Sequence, residues 1–297
     1  MTTWEPFNFQ CPICDCTFSS NAIISTNTFG GVETDFRAYA SGMDPLPFYI
    51  HQCPKCHFSF MVGEFSVSDV LKDYVLSRKI FIGIEKTALI DCSTKYEIFG
   101  RGLAINRSSY ENIAWAYLRA SWMARSEFDR PKEKRLQLLA IDYFERAIKE
   151  RTLTKEEDYE HVAFLIGELY RRTKSFNQAI EWFSQVNEPR EQDAHRQKVL
   201  AEQGNSSPTF FTDEIHMINL AGGWTEPDYF SITEEEREKS REALDKLADL
   251  MTTIQSSKER SIQSSEGRSK EKLAGKKNVI LKGFLKILIK NMFRVIR

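Results

Sequence analysis

The residues with the clearest chemistry are four cysteines in two Cys-Pro-x-Cys pairs, Cys11-Pro12-Ile13-Cys14 and Cys53-Pro54-Lys55-Cys56. A tight turn of this kind presents two thiolates to one ion. Two such turns supply the four sulfur ligands of a tetrahedral metal site. The spacing predicts a structural four-cysteine centre made of Cys11, Cys14, Cys53 and Cys56, holding one Zn²⁺ per chain. Iron accepts the same donors, but neither spacing nor composition adds a redox cue that favours it. Four sulfurs close the shell, so an open catalytic position is not expected. A redox Cys-x-x-Cys would be a single motif opening a helix in a βαβ unit, and nothing here offers one. Asp15 and His57 follow the two pairs, at positions where such turns often take positive φ; both residue types tolerate left-handed backbone. Cys16, His51 and His57 lie near enough to serve as alternative ligands, although Cys16 reads more simply as a small buried apolar residue.

The elements that position these cysteines read as short strands. Ile23-Ile24-Ser25-Thr26 and Phe48-Tyr49-Ile50-His51 lead away from and into the pairs, with Gly30-Gly31 and Asp44-Pro45-Leu46-Pro47 punctuating the connection. Phe9, Phe18, Phe58 and Phe60 flank the pairs and are expected to form a small core around the metal. A module of this size needs the metal as a staple.

After Phe65 the periodicity becomes helical. Val67, Val70, Leu71 and Tyr74 mark one short helix, and Tyr96, Phe99, Gly100 and Leu103 mark another. Ser108-Ser109-Tyr110-Glu111 predicts a capping box in which Ser108 accepts from the Glu111 amide. The helix it opens should turn Trp115, Leu118, Trp122 and Phe128 inward and end at Arg130-Pro131. A second helix is expected from about Lys132 to Arg151, with Leu136, Leu139, Ala140, Tyr143, Phe144 and Ala147 on one face. A third, from about Glu157, carries Val162, Leu165, Ile166, Leu169 and Tyr170. The fourth carries Ala179, Ile180, Phe183 and Val186 and is stopped by Pro189. Gly167, Tyr170, Phe176, Ala179 and Phe183 fit a tetratricopeptide-like pattern, in which the small residues let two antiparallel helices approach. Ala140 and Ala179, 39 residues apart, suggest that the preceding pair repeats it with a longer hinge. Helices before Ser108 and after Arg190 would cap the array.

The C-terminal third changes character. Residues 204–232 read as a connection. Thr233-Glu234-Glu235-Glu236 is a second capping box, opening a helix with Leu244, Leu247, Met251 and Ile254 on one stripe. Residues 255–275 are Ser-rich and charged, a flexible linker. Residues 276–297 carry seven bases and no acid. Lys282, Lys286, Lys290 and Arg294 recur every four residues and draw a basic stripe along a helix whose remainder is apolar. No apolar run there reaches the roughly 20 residues of a membrane span. A helix lying on an anionic membrane surface is the first reading, ahead of a partner-binding helix and one that docks on its own body.

The Cys pairs, the connection Thr34-Asp35-Phe36 … Met43-Asp44-Pro45-Leu46, and the phrases Ala116-Tyr117-Leu118-Arg119-Ala120-Ser121-Trp122 and Leu165-Ile166-Gly167-Glu168-Leu169-Tyr170-Arg171-Arg172 resemble the prokaryotic family catalogued as domain of unknown function 2225. The resemblance covers about residues 8–200. It implies a zinc-ribbon-like head, a tetratricopeptide-like body and no established activity. That family usually has Gly after each Cys pair, where this chain has Asp15 and His57.

The expected fold is therefore mainly α. A small β-rich zinc-ribbon-like head (1–65) precedes an antiparallel helical-hairpin array (66–203). A connecting loop (204–232), a charged amphipathic helix (233–254), a linker (255–275) and a detached basic amphipathic helix (276–297) follow. Charge is nearly balanced, with 41 bases and 42 acids, so the total names no partner. Residues 1–65 hold six acids and two bases, which argues against phosphate contacts by the head and makes nucleic acid the weaker reading. No His-Glu-x-x-His, Gly-x-Ser-x-Gly or phosphate loop is present, and Gly100-Arg101-Gly102 lacks the strand and third Gly of a dinucleotide loop. Cys92 has no His nearby in sequence. An active site assembled across helices stays open as an alternative. The N-terminus shows no secretory signal, and six cysteines, four in metal spacing, suit a reducing compartment. The expectation is a cytoplasmic, membrane-peripheral, non-enzymatic scaffold that binds proteins or peptides through its helices.

Overall fold

A computed structural model describes residues 2–63, 67–85, 91–154 and 158–211. The chain divides into two units, Met1–Gly223 and Trp224–Arg297, and every described residue belongs to the first. The expected helices at 233–254 and 276–297, the 255–275 linker, and the basic stripe of Lys282, Lys286, Lys290 and Arg294 lie outside the described residues.

The first unit opens with two antiparallel β-hairpins. Strand β1 (Thr3–Gln10) pairs with β2 (Thr17–Ser25), and β3 (Ile50–Gln52) pairs with β4 (Ser59–Met61). Each hairpin is closed by one Cys pair. Strand β2 starts at Thr17, directly after the first pair, rather than at Ile23. Its partner β1 carries Pro6, which a two-stranded edge tolerates and a sequence reading discounts. Seven helices follow among the described residues: α1 (Asp69–Leu76), α2 (Cys92–Ile105), α3 (Tyr110–Ser126), α4 (Arg130–Lys149), α5 (Tyr159–Arg172), α6 (Phe176–Phe183) and α7 (Glu191–Glu202). About half of the described chain is helical.

From α2 to α7 each helix packs on the next one in sequence. The α3–α4 and α5–α6 turns are built alike. A cap residue is followed by one left-handed residue, Phe128 at φ 59° or Lys174 at φ 67°, and then by the next helix's N-cap, Asp129 or Ser175. Backbone bonds Asp129 N–H to Ala124 O and Ser175 N–H to Tyr170 O, 2.9 and 2.8 Å, close both turns in Schellman fashion. The hinges are therefore equal in length. Ala140 follows Phe128 by twelve residues and Ala179 follows Lys174 by five, so these two alanines do not hold matching places.

Several local expectations shift. Ser109, not Ser108, caps α3, accepting from the Asn112 amide at 3.3 Å. Glu111 instead reaches the backbone N–H and hydroxyl of Thr154, at 2.9 and 2.7 Å. Pro131 does not end α3. It lies in the first turn of α4, where its missing N–H is harmless. Phe128, placed at the left-handed turn position, is 42% exposed instead of facing inward. Helix α6 ends at Phe183, before Val186.

One apolar core runs from the Cys pairs through α1–α4 into α5. Phe58, fully buried, lies against Gly102 so closely that a Cβ there would meet its ring at 2.8 Å. Tyr96 of α2 donates to the Leu46 carbonyl at 2.8 Å. A second cluster joins α5, α6 and α7 around Phe164, Phe183 and Phe211. The Phe183 ring rests directly on Gly167, 2.8 Å from where a Cβ would stand, as the close approach of those helices requires.

Candidate metal centre

The two Cys-Pro-x-Cys turns repeat one geometry. In the first, Cys11 N–H donates to the Cys16 carbonyl at 2.9 Å and Asp15 N–H to the Cys11 carbonyl at 3.1 Å. In the second, Cys53 N–H donates to Phe58 O at 3.0 Å and His57 N–H to Cys53 O at 2.9 Å. Asp15 and His57 both take the left-handed conformation, at φ 57° and 62°. Each turn thereby folds its two sulfurs to one side, and the hairpins bring the sides together. Cys11 Sγ lies 3.5 Å from Cys56 Sγ, and Cys14 Sγ lies 3.6 Å from Cys53 Sγ. All four sulfurs fall within 4.8 Å of one another.

This spacing fits a metal. Zn–S bonds of about 2.3 Å in a tetrahedron separate neighbouring sulfurs by about 3.8 Å. Cys11 and Cys53 are fully buried, Cys56 nearly so, and Cys14 is partly exposed. Four thiols packed this closely do not ionise together by themselves. The hydrogen bond with Cys56 lowers Cys11 to about 5, and the same bond raises Cys56. Burial raises Cys14. A divalent cation removes that conflict, because it favours the thiolate at every ligand. The donor set could therefore hold a metal ion, and four sulfurs would leave it no open position.

The neighbouring candidates take other places. His51 is held neutral, lowered to about 4 by burial. It hydrogen-bonds Ser20 at 3.0 Å and stacks on Phe9 at 4.1 Å. Burial also lowers His57. Cys16 is outside the four-sulfur cluster; its thiol faces the Thr17 carbonyl at 3.7 Å. Phe9, Phe18 and Phe60 pack edge-on or tilted, with centroids 6.2 to 6.4 Å apart. These three form a small core beside the four cysteines, while Phe58, the fourth ring expected there, packs on Gly102 of α2.

A second cluster was not legible in the sequence. Glu33, Asp35, Arg125, Glu133, Glu168 and Arg171 are buried, the Arg172 side chain is only 3% exposed, and together they form one ionic hub. Arg37, also buried, stands beside it and pairs with Asp44 at 3.0 Å. Asp35 accepts from Trp122 Nε1 at 3.1 Å, from Arg172 at 3.0 Å and from Arg125. Glu33 accepts from Arg172 at 2.7 Å and from Arg125. Glu168 accepts from Thr34, Arg171 and Arg172 at 2.6 to 2.8 Å. Arg171 also donates to the carbonyls of Asn205 and Ser207, at 2.8 and 2.9 Å. Burial alone would raise the Asp35 carboxyl, but Arg125 and Arg172 outweigh it and hold it at about 2. The same balance, with Arg171 and Arg172, lowers Glu168. Every acid here already faces a guanidinium, so the hub fastens the Glu33–Arg37 loop of the head to α3, α4, α5 and the 205–209 segment. One signal points at it: Thr34-Asp35-Phe36 and Glu168 to Arg172 are among the phrases that carry the family resemblance.

Among the described residues no helix is long and apolar enough to cross a membrane. No curated protein and no solved structure matches the chain. A family model does, over a span that holds both Cys pairs, the hub and all seven helices: through residues 7–204 the chain belongs to the family described as "Uncharacterized protein conserved in bacteria (DUF2225)".

Proposed function

We propose that this protein is a non-enzymatic scaffold. A structural Zn²⁺ sets the head, and the helical hairpins form a tetratricopeptide-like body that binds other proteins or peptides. The observation that carries this reading is the fate of the titratable groups. The buried carboxylates are tied to arginines in the hub, and Cys92 is pushed up to about 12 by burial, far from an activated nucleophile. The four clustered thiols would close a tetrahedral shell. The twin α3–α4 and α5–α6 turns support a repeated hairpin. In this reading residues 276–297 hold the scaffold at an anionic membrane surface on the cytoplasmic side, through Lys282, Lys286, Lys290 and Arg294.

The test is quantitative co-purification from native cells of the full chain against residues 1–275, with flotation of both on anionic and neutral vesicles. The scaffold reading expects one shared set of proteins with both chains, and flotation on anionic vesicles by the full chain alone. Absence of any enriched partner under membrane-preserving conditions would count against it. Zinc content near one per chain, lost in Cys53→Ser, tests the metal assignment.

A further inference from the structure

The long hairpin is built as if it expected a neighbour. None of the residues of β1 and β2 is buried, and the exposed ones include Trp4, Phe7 and Ile24 at 42, 43 and 51%. A two-stranded hairpin with no buried face is marginal in water. Its cover is thin: Phe9 and Phe18 lie against Phe60 at the knuckle end, Ser20 hydrogen-bonds His51 at 3.0 Å, and Trp4 at the far end stacks on Phe48 with centroids 5.7 Å apart. Exposed large apolar side chains also concentrate in the N-terminal part of the described sequence. From α3 onward they are Phe128, Leu138 and Val199, whereas residues 2–85 hold the other ten.

The two edges of the hairpin differ. β1 carries Glu5 and Pro6, which discourage strand addition. β2, Thr-Phe-Ser-Ser-Asn-Ala-Ile-Ile-Ser, has no charge, no Pro and no Gly along nine residues. Among the described residues its main chain pairs with no strand but β1, the one other main-chain bond being the Cys16 thiol on the Thr17 carbonyl, and in an antiparallel pair alternate residues send N–H and C=O outward. This edge is therefore open.

We infer that β2 is the contact strand of a homodimer, pairing antiparallel with β2 of a second copy. The occupant follows from the charge pattern. A strand without charges can lie against itself with no like-charge pair, and it offers a charged foreign segment no electrostatic selection. A two-fold axis near Asn21, the middle of the strand, sets Ser19 opposite Ile23 and Ser20 opposite Ala22, and the regular ladder ends at the bulge at Ile24, where Trp4 pairs with Ile23 and Thr3 with Ser25. Such an isologous contact joins two two-stranded sheets into one of four strands. It is small, so the dimer should dissociate on dilution.

The test is the mass of the full chain by light scattering at tens of micromolar, for wild type, Asn21→Glu, Asn21→Lys and a mixture of the two variants. Asn21 is exposed, so both variants are expected to keep the wild-type circular dichroism. Wild type should run near twice 34.5 kDa, each variant near one copy, and the mixture should regain the dimer. Restoration on mixing cannot come from misfolding. A monomeric wild type, a dimer that both variants leave intact, or an edge filled by a different protein in co-purification would overturn the inference.

Discussion

Replacing Asp35 by Asn tests whether the ionic hub holds head and helices together. The side chain is fully buried and accepts from Trp122, Arg125 and Arg172. Asn keeps the shape, removes the charge and points an NH₂ group toward donors. Two routes give the magnitude. The carboxyl sits at about 2 against an ordinary 3.8, which by linkage is worth roughly 2 kcal/mol at neutral pH. Removing one partner of a buried ion pair costs about 3–5 kcal/mol, because the remaining charges are left uncompensated. The second route counts the stranded arginines, so the larger figure is expected. For a domain of this size that lowers Tm by on the order of 10 °C. The assay is urea and thermal unfolding followed by circular dichroism and by tryptophan fluorescence, since Trp122 donates directly to Asp35. Asp142→Asn is the control: its pair with Arg146 at 2.9 Å is half exposed and is worth about 0.5 kcal/mol or less. The pH dependence has a definite sign. The folded value lies below the unfolded one, so this stabilisation is present above about pH 4 and is lost as pH falls toward 2. Asp35→Asn should flatten that acid limb. A loss within about 1 kcal/mol of the control would refute the argument that the hub is held by charge.

Three further outcomes are expected. Chelating an ion out of the Cys11–Cys56 cluster should reduce the dispersion of backbone NMR signals from 2–63 while the helical circular dichroism largely persists, because that cluster ties the two hairpins together, whereas α2–α4 keep their packing on one another and α5–α7 have a second cluster; unchanged head signals after verified metal loss would contradict this. His57→Gly should stabilise the protein by about 1 kcal/mol and Asp15→Gly by less, read as denaturant midpoints, since both residues stand at positive φ and Asp tolerates it better. Gly167→Ala should destabilise by roughly 1–3 kcal/mol, because the Phe183 ring is 2.8 Å from the added Cβ and is itself buried; a neutral effect in thermal unfolding would mean that α5 and α6 can part.

What the sequence shows and what it hides divides along the range of the interactions. The Cys pairs are legible because each knuckle is a local device, with ligand spacing and left-handed Asp15 and His57 all set within a few residues. The helical stretches are legible from apolar period, as Leu118, Leu136, Leu165 and Phe183 show by being buried. Their ends are less so. Six helices close on a left-handed residue, and only Gly204 is a glycine; Arg78, Arg107, Phe128, Arg151 and Lys174 give no such cue. Phe128 departs from expectation for that reason: its apolar character suggests the core, while its place in the turn sends it to solvent. The capping serine shifts by one because Ser108 and Ser109 are chemically equal candidates, and only the path of the chain from Arg107 decides between them.

The hub is the instructive failure. Taken singly, Glu33, Arg125, Glu168 and Arg172 read as residues of solvated faces, since charged side chains are rarely buried unless paired. Their partners lie up to 139 positions away, as in the contact of Arg172 with Glu33, and no periodicity encodes such pairs. Yet the hub makes sense of a phrase that has no local explanation. Thr34, Asp35 and Arg37 flank Phe36, which packs on Phe164 and Phe211, so the loop is held by an apolar contact that has no preferred direction and by the charges beside it. The hydrogen-bonded charges hold it directionally, at the end of α3 through Arg125 and at the end of α5 through Arg171 and Arg172. These are the ends where the two matching turns begin. A head fixed in this way would hold β2 in a constant orientation relative to the helices. Loosening the hub should therefore weaken self-association even though no hub residue touches the strand: Asp35→Asn, studied below its melting temperature, should dissociate at a higher concentration than wild type. If its dissociation constant is unchanged, the hub serves stability alone and the hairpin's direction is set by the packing of Phe58 on α2.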